Sequence, residues 1–367
     1  MRKINEIPVA VLSTFGHCGT DWLHSLIDSH KEVLIIPPLS FFRKIDILKK
    51  IKKIDLDTSL SAKQITNIFM NELFQKSPHK NKTNNILNKN QSKSKFKKYI
   101  NDFLIVEKKI DIQKRLFFAI HHAFAKINKI NLEKIKTIVS HEHVPWNCHY
   151  YNEYFNSKFV FIVRDPRATI GGSLRTFRRT KNIPINFQID MGLSYMISAH
   201  KFFTNMNRKK ILILKNEDMH KNLKLEMKKL SKWLNIKFNK SLLNSTFLGK
   251  RWIGESGYIS KLDLKNEYPK NYYKPINIET RWRSILDKKA ILMIETVLEE
   301  IMIQNKYKFD NKLNIVSRFF GYLIFLFKFH DFNNFSYLLK LRFIKNIIRR
   351  IFVVFFSAQS RKIFDIM

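Results

Sequence analysis

The sequence predicts an α/β fold in which a central parallel sheet lies between two layers of helices. Two strand-to-helix junctions predict it, at residues 7–30 and 158–174, joined by a glycine-free, helix-rich stretch over about 43–135. In the first junction Val9, Val11 and Leu12 read as a short buried strand, and Gly16, Gly19 and Thr20 supply a small-residue turn. Trp22, Leu23, Leu26 and Ile27 then fall on one helical face. Such a turn aims backbone N–H groups and the positive end of a helix dipole at one point, where an anion can sit. No Gly-Lys-Ser/Thr follows, so this is not a Walker loop.

The intervening stretch contains one proline, Pro78, and reads as helical around Ala62–Phe74 and Ile110–Ile127, with a polar loop at Asn81–Ser94. His121 and His122 lie on its second helix. Phe159–Val163 is an unbroken apolar, β-branched and aromatic run, as a parallel strand covered on both faces requires. Arg164 stands at its carboxyl end, Asp165 is a good N-cap and Pro166 suits the first helical position. Ile170, Leu174 and Phe177 continue at helical spacing. A further apolar strand is expected at Ile211–Leu214, with a helix after it in Lys224–Phe238. Beyond Lys312 two Phe-rich runs, Phe319–Phe329 and Ile347–Phe356, are broken by Lys328, Arg349 and Arg350. Each is too short to span a bilayer, so they read either as helices on an anionic membrane surface or as a pair packed on the main domain.

The chain of 367 residues carries a formal net charge of +37, which invites a nucleic-acid reading. The excess is spread, however. Residues 43–135 hold 22 Lys and Arg against 8 Asp and Glu, and the densest run is only Lys93, Lys95, Lys97 and Lys98. Most of the charge therefore reads as solvated surface that helps to draw in anions, with no specific nucleic-acid partner. Two cysteines, Cys18 and Cys148, make neither a metal pattern nor a disulfide framework. The first thirty residues contain charges and no long apolar core, so a cytoplasmic protein is expected.

Thr14, Phe15, Gly16, His17, Cys18, Gly19, Thr20, Asp21, Trp22 and Leu23 can be laid without a gap on T-Y-P-K-S-G-T-T-W-L. That is the 5′-phosphosulfate loop of sulfotransferases using 3′-phosphoadenosine-5′-phosphosulfate (PAPS), which this segment resembles. His17 stands where that family usually has Lys or Arg, and Asp21 where it often has Thr. The run R-D-P-R at Arg164–Arg167 resembles the family's 3′-phosphate motif. Its helix serine usually falls eight residues after the arginine, a position held here by Gly172, with Ser173 next. Glu142–Pro145 resembles E-K-T-P, again with a histidine, His143, for lysine. Asn216–Met219 is similar to Y-E-D-L, and Phe247–Ser256 to the late basic loop. Trp282–Tyr307 is similar to the family's final helix. The resemblance covers roughly residues 5–40 and 137–310.

The resemblance implies a P-loop-like three-layer α/β/α domain over 1–311, with the helical insertion at about 43–135 and a basic, Phe-rich helical tail at 312–367. It implies PAPS as co-substrate, no metal, and sulfuryl transfer to an acceptor hydroxyl or amine on a glycan, lipid or small alcohol. It implies binding of PAPS by Gly16, His17, Cys18, Gly19, Thr20, Asp21, Trp22, Arg164, Ser173, Lys250 and Arg251. His17 would face the sulfuryl bridge, and the candidates for the base are Glu142 first, then His143, with His121 and His122 behind them. Two alternatives stay open at this point: a catalytically weakened PAPS-binding protein, and a kinase-like nucleotide enzyme of the P-loop fold.

Overall fold

β1 (Val9–Thr14), β2 (Val33–Ile35), β3 (Thr137–Glu142), β4 (Lys158–Val163) and β5 (Ile211–Lys215) form one parallel sheet in the order β2-β3-β1-β4-β5. The computed structural model describes residues 3–14, 18–44, 59–73, 87, 92–107, 110–178, 185–251, 274–327, 347, 348, 350 and 351. β1 is central: Val11 lies between Ser140 on one side and Phe159 on the other. All six of its residues are buried, and so are Phe159–Val163 of β4. A strand covered on both faces has no polar side to alternate with, which is why these runs read as continuously apolar.

The helices follow as α1 (Thr20–Ile27), then α2 (Ser59–Leu73), α3 (Lys93–Val106) and α4 (Ile112–Ile127) of the insertion. Next come α5 (Cys148–Phe155), α6 (Pro166–Arg178), α7 (Ile185–Thr204), α8 (Asn216–Lys221) and α9 (Leu223–Leu234). The chain continues with α10 (Pro275–Thr280), α11 (Lys288–Val297), α12 (Glu299–Gln304) and α13 (Ile315–Phe327). Strand pleating shows which helices lie on which face. His141 of β3 meets His24 of α1 on one side of the sheet, whereas Ser140 bonds to Tyr151 of α5 on the other.

α2 and α4 occupy the two helical stretches expected of the insertion. α3 was not expected there. It begins inside the stretch read as a polar loop, with Ser92 capping Lys95 N–H, and it contains the densest lysine run. Phe96, Ile100, Phe103 and Leu104 recur at helical spacing and are all buried. The lysines are the solvated side of an amphipathic helix, not a charged loop. α9 fills the helix expected in Lys224–Phe238, and Asn235 ends it with a left-handed φ of 56°.

α13 belongs to the first Phe-rich run of the tail. Gly321 seats it against α11: a Cβ there would fall 2.1 Å from Thr296 Oγ1. Arg318 pairs with Glu299 at 2.6 Å, and Phe325 is buried. The opposite side keeps Ile315, Val316, Phe319 and Phe320 between 50% and 85% exposed. Among the described residues no helix is long and apolar enough to cross a membrane. Most of the second run, Ile347–Phe356, lies outside the described residues.

Candidate functional site

From β1 the chain runs to β2 on one side, whereas β4 leads to β5 on the other. Between the carboxyl ends of β1 and β4 the connections therefore diverge, and open α/β sheets form their ligand crevice at such a point. Phe15, Gly16 and His17 lie outside the described residues. The loop resumes at Cys18, which is buried with its Sγ 3.6 Å from Thr169 Oγ1 on α6. Gly19 has φ +93°, and Asn216 Nδ2 donates to the Cys18 carbonyl at 2.9 Å. A Cβ at Gly19 would sit 2.3 Å from that amide nitrogen, so both the backbone turn and the close approach of α8 require glycine. Thr20 is buried at the start of α1.

At the second junction Asp165 N–H donates to Glu217 Oε1 at 3.0 Å, fixing the end of β4 to α8. Arg167 is structural. It donates to both carboxylate oxygens of Asp165 (3.0 and 2.7 Å), to Glu295 (2.5 Å), to Asp310 (3.2 Å) and to the Lys308 carbonyl (2.7 Å). Its guanidinium also lies 4.3 Å from the Trp282 ring centre. Glu295 is fully buried, and it further accepts the backbone N–H groups of Asp310 and Asn311. Tyr307 hydroxyl donates to Glu217 at 3.2 Å. The late segment from Trp282 to Asn311 thus braces the second junction.

Arg164 is half-buried at the end of β4. A Cβ on Gly172 would lie 3.5 Å from its Nη1, so Gly172 is the α6 position that faces the guanidinium. Ser173 is buried about 100° further round the helix. His220 of α8 connects the two junctions. Its ring stacks on Trp22 of α1 at 4.3 Å, and burial, followed by the charges of Arg164 and Arg281, pushes its pKa down to about 4.

The carboxyl end of β3 adds a third group. Glu142 points to the α5 side, where its field raises the Cys148 thiol and the Tyr151 hydroxyl after burial has done most of that work. Its Oε1 accepts Val144 N–H at 2.9 Å, and the side chain is wholly enclosed. His141 and His143 point to the α1 side, with ring centres 4.2 Å apart. Their Nε2 atoms lie 3.9 and 3.8 Å from Asp21 Oδ1. His141 Nδ1 lies 3.3 Å from His24 Nδ1. Burial holds His24 down to about 4 and His141 well below its usual value. His143 remains 44% exposed, so a bound molecule can reach it.

Glu142 and His143 therefore belong to opposite faces of the sheet. His121 is enclosed in the insertion, with Nδ1 2.8 Å from the Phe117 carbonyl, and burial lowers it to about 4. His122 packs against Phe103, with ring centres 5.2 Å apart. Lys250 and Arg251 are exposed in a hairpin of β6 (Thr246–Phe247) and β7 (Lys250–Arg251), turned by Gly249 at φ +74°. Asp28, just after α1, holds this hairpin by accepting Gly249 N–H at 2.9 Å and the Thr246 hydroxyl at 3.0 Å. Sequence reasoning missed His141, His24 and His220, and it met Asn216 only as part of the run similar to Y-E-D-L. A period-two signal, His-x-His at a strand end, marks the first; nothing local marks the others, which act across the fold.

A family model described as "Sulfotransferase domain" matches residues 8–248, a span that takes in both junctions and β5. Among solved structures, the fold is similar to a sulfotransferase domain from the curacin biosynthetic pathway. That match has 13% identity and a TM-score of 0.52, covering 83% of this chain and 99% of that one. A sulfotransferase domain from the Synechococcus PCC 7002 olefin synthase matches with 12% identity, 84% and 96% coverage, and a TM-score of 0.44. Sulfotransferase STF9 from Mycobacterium avium matches with 11% identity, 84% and 79% coverage, and a TM-score of 0.40. No curated protein matches the sequence. With both junctions inside the matched span and the parallel sheet in place, the chain belongs to the sulfotransferase family and is an enzyme of that kind.

Proposed function

We propose that this sulfotransferase takes its sulfuryl group from PAPS and passes it to an acceptor hydroxyl or amine. The observation that carries the reading is that both junctions end in one crevice: α8 holds the Gly19 turn through Asn216 and stacks His220 on Trp22, and Arg164 stands at the end of β4 facing Gly172. A ligand with two separated anionic groups fits such an arrangement. The Gly19 turn, which has no room for a Cβ, suits a backbone cradle for one of them. Arg164 suits the 3′-phosphate, because a planar guanidinium can hold it bidentately. PAPS brings an already activated sulfuryl group; the protein must supply charge stabilisation and a base.

Backbone N–H groups at the start of α1 would stabilise negative charge developing on the departing phosphate. His17, which the family resemblance assigns to the same task, adjoins them outside the described residues. Of the two leading base candidates the geometry favours His143. Its side chain is 44% exposed and its Nε2 lies 3.8 Å from the Asp21 carboxylate, whereas Glu142 is enclosed and already holds the Val144 N–H. His143 would accept the acceptor's proton as the oxygen or nitrogen bonds to sulfur. The contribution of Lys250 and Arg251 is more general, since exposed cations near the end of α1 would attract an anionic substrate.

Calorimetry with the desulfated product PAP tests the binding half of this reading. PAP should bind the native protein, and Arg164→Ala should weaken it by about 1.5–3 kcal/mol, the usual worth of a charge-assisted hydrogen bond. Absence of PAP binding, or preference for ATP over PAP, would overturn the assignment.

We also propose that the tail meets an anionic membrane surface through the exposed face of α13, where Ile315, Val316, Phe319 and Phe320 are gathered. The native chain should sediment with phosphatidylglycerol vesicles. Phe319→Ser combined with Phe320→Ser should abolish this while leaving the melting temperature near that of the native chain, because neither side chain is buried. Equal sedimentation of both proteins, or none of either, would remove the membrane role.

A further inference from the structure

We infer that Asp21, His141 and His143 form a binding site for a divalent cation of the zinc class, and that its occupation switches off proton transfer at His143. The inhibitory half rests on the function proposed above; the cation site itself does not.

One ligand atom from each of Asp21, His141 and His143 lies within 4.8 Å of the other two, and Asp21 Oδ1 is 3.9 and 3.8 Å from the Nε2 atoms of His141 and His143. They arrive from two elements that the sheet holds in register: β3 sends out His141 and His143 on one face, and the first turn of α1 sends Asp21 across to them. His141 gives the second, independent sign of a ligand. Its side chain is completely buried, and its Nε2 has no hydrogen-bond partner among the described residues, although it points toward Asp21. A buried polar atom left in this way has forfeited its water without recovering a bond.

The other nitrogen of the same ring is engaged. His141 Nδ1 and His24 Nδ1 are 3.3 Å apart, so one of the two must carry the proton and the other accept it. When His141 donates, its Nε2 keeps a lone pair directed at Asp21 and His143. That is the tautomer a metal needs, with the far nitrogen held by an outer partner. His24 is therefore a positioning residue for the cation.

Size and donor type select the ion. Tetrahedral zinc with bonds of about 2.0–2.2 Å sets its ligand atoms about 3.3–3.5 Å apart. The observed 3.8 and 3.9 Å must close by a few tenths of an ångström, and the two histidine atoms, within 4.8 Å, by about 1.5 Å at most. Asp21 and His143, with side chains 41% and 44% exposed, have the freedom to do this, while His141 is fixed. Two imidazoles and one carboxylate suit zinc, whereas magnesium and calcium seek all-oxygen shells. The part-exposed side chains of Asp21 and His143 let an ion reach the group from solvent. Coordination occupies the Nε2 lone pair of His143, the same pair that would accept the acceptor's proton. Zinc and catalysis thus compete for one atom.

Calorimetric titration of the full chain with Zn²⁺, paralleled by the visible spectrum with Co²⁺, tests the site. One ion should bind per chain, and Co²⁺ should give the intense absorption of a tetrahedral complex. His143→Ala and Asp21→Asn, at part-exposed positions where folding is not at risk, should each weaken Zn²⁺ at least 10- to 100-fold. His24→Phe should weaken it by roughly 10–100-fold, as loss of an outer partner does. His149→Gln, at an exposed position outside the group, should bind as the native chain does. Native affinity in His143→Ala, or a weak six-coordinate Co²⁺ spectrum, would overturn the site. Under assay with PAPS, inhibition should follow the measured Zn²⁺ affinity and reverse on adding a chelator. Tight binding without inhibition would keep the cation site but remove His143 from proton transfer.

Discussion

His143→Ala should lower kcat by about 10²–10⁴-fold, the usual contribution of a positioned general base, while affinity for PAP stays close to that of the native enzyme. The asymmetry follows from where the ring sits. His143 leaves the end of β3 toward Asp21, 44% exposed, and it is part of neither the Gly19 turn nor the Arg164 end of β4. Glu142 provides the contrast. Its carboxylate is enclosed on the far side of the sheet and holds the Val144 N–H that turns the chain after β3. Glu142→Gln should therefore act on the melting temperature more than on turnover. Steady-state transfer from PAPS, measured beside PAP binding and thermal unfolding, separates the two. Full activity in His143→Ala with loss of transfer in a folded Glu142→Gln would reverse the assignment.

A second large effect is expected from acid. Burial holds His24 and His121 down to about 4, and His141 well below 6.5, so all three are neutral in the folded protein at pH 7. In the unfolded chain each titrates near 6.5. Between those values the unfolded state binds more protons, so stability rises with pH across the window and drains away as pH falls from about 6.5 toward 4. Each fully buried ring lowered to about 4 is worth about 3 kcal/mol once the pH is below that value. Two of them are comparable with the whole stability of many domains. His220, lowered to about 4, adds in the same sense, whereas Glu217, whose carboxyl is raised by burial, works in the opposite sense above 4.5 as one group against four. Urea unfolding at a series of pH values should show a plateau above pH 7 and a steep loss below 6.5. His121→Leu should shallow that slope by about one proton. Constant stability from pH 7 to 4.5 would show that these rings are hydrated.

How far the sequence could be read depended on how local each signal was. β1, β4 and the helices after them were legible because a strand covered on both faces has to be apolar throughout, and because Gly19, Asp165 and Pro166 mark the turns between. α3 was not, because its lysines are consecutive in the chain and its apolar residues, Phe96, Ile100, Phe103 and Leu104, are not. In His141-Glu142-His143 the family comparison drew attention to the second and third residues. Strand pleating instead joins the first with the third and sends the second to the opposite face. The contacts of His220 and Asn216 could be recognised only in the folded protein, since each joins α1 or its turn to a helix nearly two hundred residues later.

The brace of Arg167 by Asp165, Glu295 and Asp310 also bears on the order in which the molecule can be completed during synthesis. Arg167 is made early, and Glu295 and Asp310 leave the ribosome more than a hundred residues later. Until they arrive, the second junction has Asp165 but lacks most of the negative charge that compensates its buried guanidinium, and Glu217 lacks the Tyr307 hydroxyl. A nascent chain can lay down β1–β5 before this point, yet the buried guanidinium of Arg167 is fully compensated only once translation has passed Asn311. The last stretch of the described core to be made thus closes a junction laid down near the middle of the chain.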